Sequence, residues 1–345
     1  MGTISTPWET PPAEGEATEI AKGVLWFRLP LPMVLDHVNC YALDEGDSWT
    51  LIDAGMNSRR SRGIMETLMA GPLGGKPISR VILTHHHPDH VGMAGWLKSE
   101  HGAEIWATRT AWLMARMLTL DVQDTYTKES MAFYKSTGFD EVMYNKRLVE
   151  RPFNFSDVVA PIPLGFTGIH EGDTIKMGGR DWTVRLGNGH APDHATFWSN
   201  DCNLVIGGDQ LLATISPNIG VYATEPEADP LAGWLESCER LSLYATDQQL
   251  VLPGHKLPFT GLPTRMKQLI ENHHGVLIRL LEYLGQSSTT AGCMPTIFKR
   301  NLSEGEYSLG IVEAQAHLNH LFKLGKVDRL MDEKGVYHWQ RKNDE

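Results

Sequence analysis

The stretch Thr84–His90, THHHPDH, decides the fold, and it directly follows the apolar run Arg80–Leu83, RVIL. A short apolar run of this kind predicts a buried strand, and the loop at a strand end can aim several short side chains into one pocket. Four residues of metal-ligand type lie in the stretch: His85, His87, Asp89 and His90. Because the first two alternate, both can face one ion, while the last two can face a neighbouring ion. The spacing therefore predicts a metal site that leaves His86 out.

Three more residues of ligand type follow apolar runs further along the chain. His190 comes shortly after WTVRL, Asp209 ends the run NLVIGGD, and His255 follows LVLP. Each run predicts a strand, and a glycine beside each residue allows close approach of the backbone. We expect these side chains to reach the same pocket as Thr84–His90.

The segments HHHPDH, GHAPDH, VIGGD and LPGH occur in an order that resembles the metallo-β-lactamase superfamily over roughly residues 23–260. The resemblance implies two metal ions. The ligands implied for the first ion are His85, His87 and His190. The ligands implied for the second ion are Asp89, His90 and His255. Asp209 is implied to bridge both ions, and such imidazole and carboxylate sets suit two divalent metals, zinc first, with iron or manganese as alternatives.

The resemblance also indicates a branch of the family and two supporting residues. Asp53 in LIDAG and His194 in HAPDH resemble positions that fix the orientation of a ligand imidazole. Family members that open antibiotics generally lack the bridging carboxylate, so Asp209 makes the chain look like the glyoxalase II, lactonase and thioesterase branch. No convincing basic pair for glutathione is found in the C-terminal part, which weakens glyoxalase II itself.

The order of the elements predicts an α+β protein with two domains. Residues 1–22 are polar and rich in proline, and we expect a flexible leader. Residues 23–262 are expected to form the αββα sandwich of the metallo-β-lactamase fold, with a helical insertion at about 108–148. Residues 263–345 change to amphipathic helices and end in a possible hairpin, the order of a small, mainly helical, winged-helix-like domain.

Composition restricts the partners of the chain. It carries 42 acidic and 31 basic residues, and the formal charge of -11 opposes polyanions, so no nucleic-acid partner is expected. No run approaches the roughly 18 apolar residues of a membrane span, and the N-terminus lacks the pattern of a signal peptide. We therefore expect no membrane partner and a cytoplasmic protein.

The expected function is hydrolysis of an acyl thioester, ester or lactone, with a hydroxide that bridges two metal ions attacking the carbonyl. Asp209 and Asp89 are the expected catalytic carboxylates, the first as the bridge and the second as a proton relay. Apolar and aromatic residues of the insertion, Trp112 and Tyr126 among them, are expected to form a wall for the acyl group of a small-molecule substrate.

Two other functions remain open. Two metal ions also support phosphodiester or RNA cleavage, which some winged-helix relatives perform. A metal-dependent sensor with a nucleic-acid-binding C-terminal domain is the other alternative. The helix expected from about Ser308 to Leu324 has basic residues only at its end, so packing or dimerisation suits this domain better, and a homodimer is possible.

Overall fold

The computed structural model describes residues 2–343, and its Cα packing divides the chain into two compact units. Three segments form the first unit: the chain up to Val122, Asn154–Pro217 and Leu241–Met266. Three others form the second unit: Gln123–Phe153, Asn218–Arg240 and the chain from Lys267 onward. The sequence suggests instead a single boundary between residues 262 and 263. Amphipathic patterns show that a segment buries one face, but they do not show which other segment covers it.

The larger sheet of the first unit has seven strands in the order β1-β2-β3-β4-β5-β6-β7. They are β1 (Thr18–Ala21), β2 (Val24–Pro30), β3 (His37–Asp44), β4 (Trp49–Ile52), β5 (Ile78–Ile82), β6 (Glu104–Ala107) and β7 (Thr167–Gly168). Neighbours from β1 to β4 are antiparallel, whereas those from β4 to β7 are parallel. The C-terminal ends of β4 and β5 therefore share one edge of the sheet.

The smaller sheet has five strands in the order β12-β11-β10-β9-β8. They are β8 (Thr174–Met177), β9 (Arg180–Gly187), β10 (His194–Ser199), β11 (Leu204–Gly208) and β12 (Leu250–Pro253). Only β11 and β12 are parallel neighbours, and their C-terminal ends also lie at one edge.

Side chains along each strand point alternately to the two faces of the larger sheet, and the first unit therefore has two hydrophobic cores. Trp26 and Tyr41 of the larger sheet share a buried cluster with Trp182 and Phe197 of the smaller sheet, so the two sheets pack face to face. Residues that alternate with these on the larger sheet, such as Phe27, pack in a second cluster with the helices. Those helices are α1 (Arg59–Ala70), α2 (Pro88–Val91), α3 (Ala94–His101) and α4 (Arg109–Leu120). Helix and sheet layers therefore fix the loops at the strand ends.

The second unit is mainly helical. Its helices are α5 (Lys128–Ser136), α6 (Glu141–Arg147), most of α7 (Pro230–Ser242) and α8 (Leu262–Tyr283), α9 (Thr290–Phe298) and α10 (Glu304–Lys323). A three-stranded antiparallel sheet completes it, with β13 (Ser288–Thr289), β14 (Val327–Met331) and β15 (Tyr337–Arg341) in the order β13-β15-β14. Within residues 2–343, every helix is too short or too polar to cross a membrane.

The N-terminal segment has more structure than its composition suggests. Thr18–Ala21 forms the first strand of the larger sheet, and Ser5 pairs with Thr260 through backbone hydrogen bonds. The ring of Trp8 packs edge-on against Trp26 at 6.4 Å between centroids. The expectation of a flexible leader over residues 1–22 is therefore wrong, because a polar, proline-rich segment can still pack a single large aromatic side chain against the core.

Candidate metal centre

The loops that follow five strands carry the candidate ligands and their neighbours. Asp53 follows β4, Thr84–His90 lies just beyond β5, and His190 lies between β9 and β10. Asp209 follows β11, and His255 lies just beyond β12. The parallel pairs β4–β5 and β11–β12 each place their loops at one edge of a sheet, and contacts of His190, Asp209 and His255 with the other ligand-type side chains show that these loops meet.

The first set of ligand-type side chains is His85, His87 and His190. Nε2 of His85 lies 3.0 Å from Nδ1 of His87, which lies 3.0 Å from Nε2 of His190. Nitrogen ligands of a tetrahedral zinc ion lie about 3.3 Å apart, given zinc–nitrogen bonds of about 2.0 Å. Three imidazole nitrogens thus converge at a spacing close to that of a metal site.

The second set is Asp89, His90 and His255. Oδ2 of Asp89 lies 3.3 Å from Nε2 of His255 and 3.5 Å from Nε2 of His90. A carboxylate oxygen and two imidazole nitrogens therefore face one point.

Asp209 lies between the two sets. Its Oδ2 is 3.3 Å from Nε2 of His190 and 3.3 Å from Nε2 of His255, while Oδ1 is 3.5 Å from Nε2 of His90. Three groups of His and Asp in residues 2–343 have ligand atoms within 4.8 Å of one another, and together they comprise all seven residues singled out in the sequence. The structure therefore brings every one of these side chains together.

Asp53 sets the orientation of one imidazole in each set. Thr84 donates its hydroxyl hydrogen to Oδ2 of Asp53 at 2.8 Å, so its oxygen accepts from Nδ1 of His85 at 2.9 Å. Nδ1 of His90 donates to the same Oδ2 at 2.7 Å. Because Nδ1 of each ring is held by this network, His85 and His90 direct Nε2 into the centre, where it is the atom available to a metal ion.

Two further residues hold the second set and the bridging carboxylate. Nδ1 of His255 donates to the backbone carbonyl of His37 at 2.8 Å, and the backbone N–H of Asp209 donates to Nε2 of His194 at 3.1 Å. The sequence around His37 lacks a ligand context and predicts a surface or loop histidine, but the residue is buried at the start of β3, so that prediction is wrong. Its contact with His255 uses the backbone, and no side-chain pattern could have shown it.

The charges of the centre favour a cation. Burial lowers the pKa of His85 and His87 well below the usual range, and neighbouring imidazoles lower it further. Burial also opposes protonation of His255, but Asp209 and Asp89 outweigh it and raise the pKa of His255 to about 10. Two carboxylates enclosed among imidazoles therefore attract positive charge, which a divalent ion supplies.

A glycine permits the close packing of the second set. A Cβ added to Gly254 would lie 2.2 Å from Oδ1 of Asp209 and 2.9 Å from Cε1 of His90. Any side chain at this position would displace the carboxylate, which accounts for the glycine in LPGH.

The residues at the centre fit divalent metal ions. Nε2 of His90 and Oδ1 of Asp209 are buried and have no hydrogen-bond partner within residues 2–343, although they lie 3.5 Å apart. Buried polar atoms without partners are costly, and a shared cation would satisfy both. The donor set of imidazole and carboxylate is one that zinc, iron and manganese accept.

Other residues considered in the sequence lie elsewhere. His86 is buried beside His87 and is in none of the three groups. Trp112 lies in the core of the first unit, stacked on Phe166 at 4.7 Å and 13°, so its ring is not on a surface as a pocket wall requires. Tyr126 belongs to the second unit, where the guanidinium of Arg147 lies 5.3 Å from its ring.

Comparisons with known families agree with this geometry. A family model described as the metallo-beta-lactamase superfamily matches residues 33–255, and one described as a metallo-beta-lactamase-like C-terminal domain matches residues 277–342. Two curated relatives are a probable metallo-hydrolase, YqjP, of Bacillus subtilis and hydroxyacylglutathione hydrolase GloC of Haemophilus influenzae. The first is 27% identical over 85% of this chain and 92% of its own length, and the second is 23% identical over 65% and 88%.

Two solved structures are similar over nearly the whole chain. A beta-lactamase domain protein from Burkholderia ambifaria has a TM-score of 0.88 at 33% identity, covering 98% of this chain and 97% of that one. A metallo-beta-lactamase family protein from Thermus thermophilus has a TM-score of 0.77 at 26% identity, covering 94% and 100%. The predicted α+β fold, the αββα sandwich of the metallo-β-lactamase fold with a C-terminal helical domain, is confirmed. The chain therefore belongs to the metallo-β-lactamase superfamily, as a metallo-hydrolase that carries the C-terminal domain of that superfamily.

Proposed function

We propose that the chain is a dinuclear hydrolase that attacks the carbonyl of an acyl thioester, ester or lactone. One observation carries the dinuclear part of the proposal. Oδ2 of Asp209 lies 3.3 Å from an imidazole nitrogen of each set, His190 and His255. A carboxylate in this place can hold two ions at once, and seven protein ligands suit two divalent metals, zinc first, with iron or manganese as alternatives.

The chain's own residues have separate roles in the proposed reaction. When bound, the two ions would supply Lewis acidity and lower the pKa of water, which is the chemistry that hydrolysis needs at neutral pH. Asp209, with 7% of its side chain exposed, keeps the two sets together. Asp89 is more exposed, at 18%, and is therefore the carboxylate better placed to exchange a proton with the reacting atoms. Burial opposes ionisation of Asp89, but His90 and His255 outweigh it and lower its pKa.

Charge and similarity support a carbonyl substrate over a nucleic acid. The formal charge of -11 repels phosphodiesters, whereas a small acyl substrate has no such barrier. The relative from Haemophilus influenzae is named for hydrolysis of hydroxyacylglutathione, whose name describes an acyl group on glutathione. Phosphodiester or RNA cleavage remains the alternative that the same two-metal chemistry allows.

For the C-terminal part, we propose a winged-helix-like domain that serves packing or dimerisation. The sequence of α8, β13, α9, α10 and the hairpin β14–β15 supports the first part of this proposal. α10 has acidic residues in its first turn and is buried over most of Gly310–Leu321, so it presents no basic stripe for phosphate contacts. Sedimentation of the protein, and retardation of labelled RNA and DNA at two salt concentrations, would separate dimerisation from nucleic-acid binding or sensing.

Two measurements test the hydrolase. Elemental analysis of protein saturated with zinc should approach two ions per chain, and a panel of thioesters, lactones and phosphodiesters should show the highest kcat/KM on carbonyl substrates. A reproducible single ion with full activity would refute the dinuclear part. Faster cleavage of bis-aryl phosphodiesters or RNA than of every carbonyl substrate would refute the substrate class alone.

A substitution at the bridge adds a mutational test. Asp209→Asn keeps the size of the side chain but removes its negative charge, so kcat should fall by roughly 10² or more. The control is Asp181→Asn, an acidic residue that pairs with Lys176 on the surface strands β8 and β9. Turnover of thioesters and lactones should fall together in the first variant and remain at the wild-type level in the second.

A further inference from the structure

We propose that Gln210 is a positioning residue of the metal centre: its buried side chain braces the hairpin that carries His190 and so sets the position of His190 against Asp209. This inference rests on the proposed metal centre. It concerns a residue that directly follows Asp209 and is not among the seven ligand-type side chains.

The burial of Gln210 is unusual for its chemistry. The residue is 0% exposed, and within residues 2–343 neither its Oε1 nor its Nε2 has a hydrogen-bond partner. A side-chain amide can form about four hydrogen bonds, and a buried polar group left without a partner destabilises the folded state. Gln210 therefore does not contribute to stability through hydrogen bonds to other residues, and its contribution must come from contact.

That contact is made with Gly187. A Cβ added to Gly187 would lie 2.4 Å from Cδ and 2.5 Å from Oε1 of Gln210. The φ angle of Gly187 lies outside the left-handed region, so its backbone conformation does not require glycine. The amide of Gln210 instead fills the space that a side chain at residue 187 would need, and the two positions are sterically matched.

The contact between Gln210 and Gly187 lies on the β9–β10 hairpin, which carries His190 of the first ligand set. Gly187 ends β9 and pairs with His194, the first residue of β10, and His190 lies in the loop between them. Asp209 touches the same hairpin twice more, through its N–H to Nε2 of His194 at 3.1 Å and through Oδ2 near Nε2 of His190 at 3.3 Å.

Three contacts thus join two neighbouring residues to one hairpin. A segment held at two points can still rotate about the line between them, and the third contact, between Gln210 and Gly187, stops that rotation. Without it, His190 can move relative to the bridging carboxylate, and the first set loses its spacing to the second.

Four variants and two controls test the proposal through zinc affinity, measured by competition with a chromophoric chelator, and through thermal unfolding of the zinc-free protein. Gln210→Ala removes the brace, and Gly187→Ala forces it aside, so each should weaken zinc binding by about 10- to 100-fold. Gln210→Met keeps a side chain of similar length, so zinc affinity should stay within about threefold while the unfolding midpoint rises, because an unpaired buried amide is removed.

The double variant Gly187→Ala with Gln210→Ala is the sharpest measurement. The new methyl group then has the space left by the amide, so the combined loss should be smaller than the product of the two single losses. The controls are Gly63→Ala, at a helical glycine with no atom within 4 Å of an added Cβ, and Gln248→Met, at an exposed glutamine. Both should bind zinc as the wild type does.

Several outcomes would overturn the proposal. One is unchanged zinc affinity in Gln210→Ala, and another is a double-variant loss equal to the product of the single losses. A loss in Gln210→Met as large as in Gln210→Ala would also overturn it, because the polar atoms rather than the bulk would then matter. If the wild type itself bound fewer than two zinc ions, the proposed dinuclear centre would fail instead, and the variants would not be responsible.

Discussion

The substitution Asp53→Asn tests how the imidazoles of the centre are oriented. In the wild type, Oδ2 of Asp53 accepts from the hydroxyl of Thr84 at 2.8 Å and from Nδ1 of His90 at 2.7 Å. If Asn places its NH2 group there, it becomes a donor to both atoms. His90 must then accept on Nδ1 and carry its proton on Nε2, where it cannot bind a metal.

The same change reaches the first set through Thr84. When the hydroxyl oxygen of Thr84 accepts from Asn, its hydrogen points to Nδ1 of His85, 2.9 Å away, and the proton of His85 also moves to Nε2. Loss of an orienting partner typically weakens metal binding by about 10- to 100-fold, and here each set loses one. We also expect the zinc-free protein to lose about 2 kcal/mol of unfolding free energy, because two hydrogen bonds to a buried charge, about 2 kcal/mol each, become bonds between neutral groups of about 1 kcal/mol each.

The assay is zinc titration against a chromophoric chelator, combined with 15N NMR of the histidine rings and urea unfolding of the zinc-free protein. The control is Asp229→Asn, because Asp229 also pairs with a histidine, Nδ1 of His320 at 3.0 Å, but belongs to the second unit. Wild-type affinity for both ions in Asp53→Asn, with His90 still protonated on Nδ1, would refute the reasoning.

Three other perturbations have definite expected results. Gly254→Ala should lose bound metal in elemental analysis, because the added Cβ would lie 2.2 Å from Oδ1 of Asp209, whereas Gly305→Ala, with no atom within 4 Å, should keep it. Burial raises the pKa of Glu313 to about 7, so the stability from its bound proton is complete below about pH 4.5 and is lost as the pH rises through about 7. Glu313→Gln should therefore unfold at a higher temperature than the wild type at about pH 8.5, and the difference should shrink toward pH 5; equal midpoints at both pH values would contradict this. Removal of metal with a chelator should lower the free energy of unfolding by an amount that grows with the zinc concentration of the reference sample, about 2.7 kcal/mol per site at 100 times Kd, and an unchanged free energy would argue against a bound ion.

The candidate ligands could be found from the sequence because each follows an apolar strand and has a chemistry that few other roles need. The resemblance of HHHPDH and LPGH to the superfamily is what implied that residues as distant in the chain as His85 and His255 share one site. In the structure, the parallel pairs β4–β5 and β11–β12 each bring their strand ends to one edge of a sheet. The contacts that support the ligands were harder to predict from the sequence. The hydroxyl of Thr84 connects Asp53 to His85, and the backbone carbonyl of His37 accepts a hydrogen bond from His255. Neither contact can be predicted from the type or the spacing of the residues.

Breaks and boundaries of elements were also missed where tertiary packing decides them. The apolar spacing of Val91, Ala94 and Leu97 predicts one helix over 91–101. In the structure, α3 begins only at Ala94, after the separate short helix α2, Pro88–Val91. A Cβ added to Gly92, between them, would lie 2.4 Å from the carbonyl oxygen of Gly55, so this position serves a close backbone contact. Helix periodicity describes a chain by itself and cannot show that another segment crosses it.

Helix α4 shows why substrate contacts were harder to identify than metal ligands. The helix carries two apolar faces: Ala111, Trp112 and Ala115 are buried, whereas Leu113, Met117 and Leu120 are 52%, 50% and 66% exposed. At about 100° per residue, the exposed side chains lie on the same side as Thr110, whose hydroxyl contacts Asp193 beside the metal-binding loop. Trp112 was predicted to line the pocket because it is large and aromatic, yet large aromatic side chains are stabilised most by burial in the core. A metal-ligand residue can be recognised in a sequence by its chemistry. A residue that lines a substrate pocket differs from a core residue only in which of two apolar helix faces stays exposed, and that depends on how the helix packs against the rest of the unit.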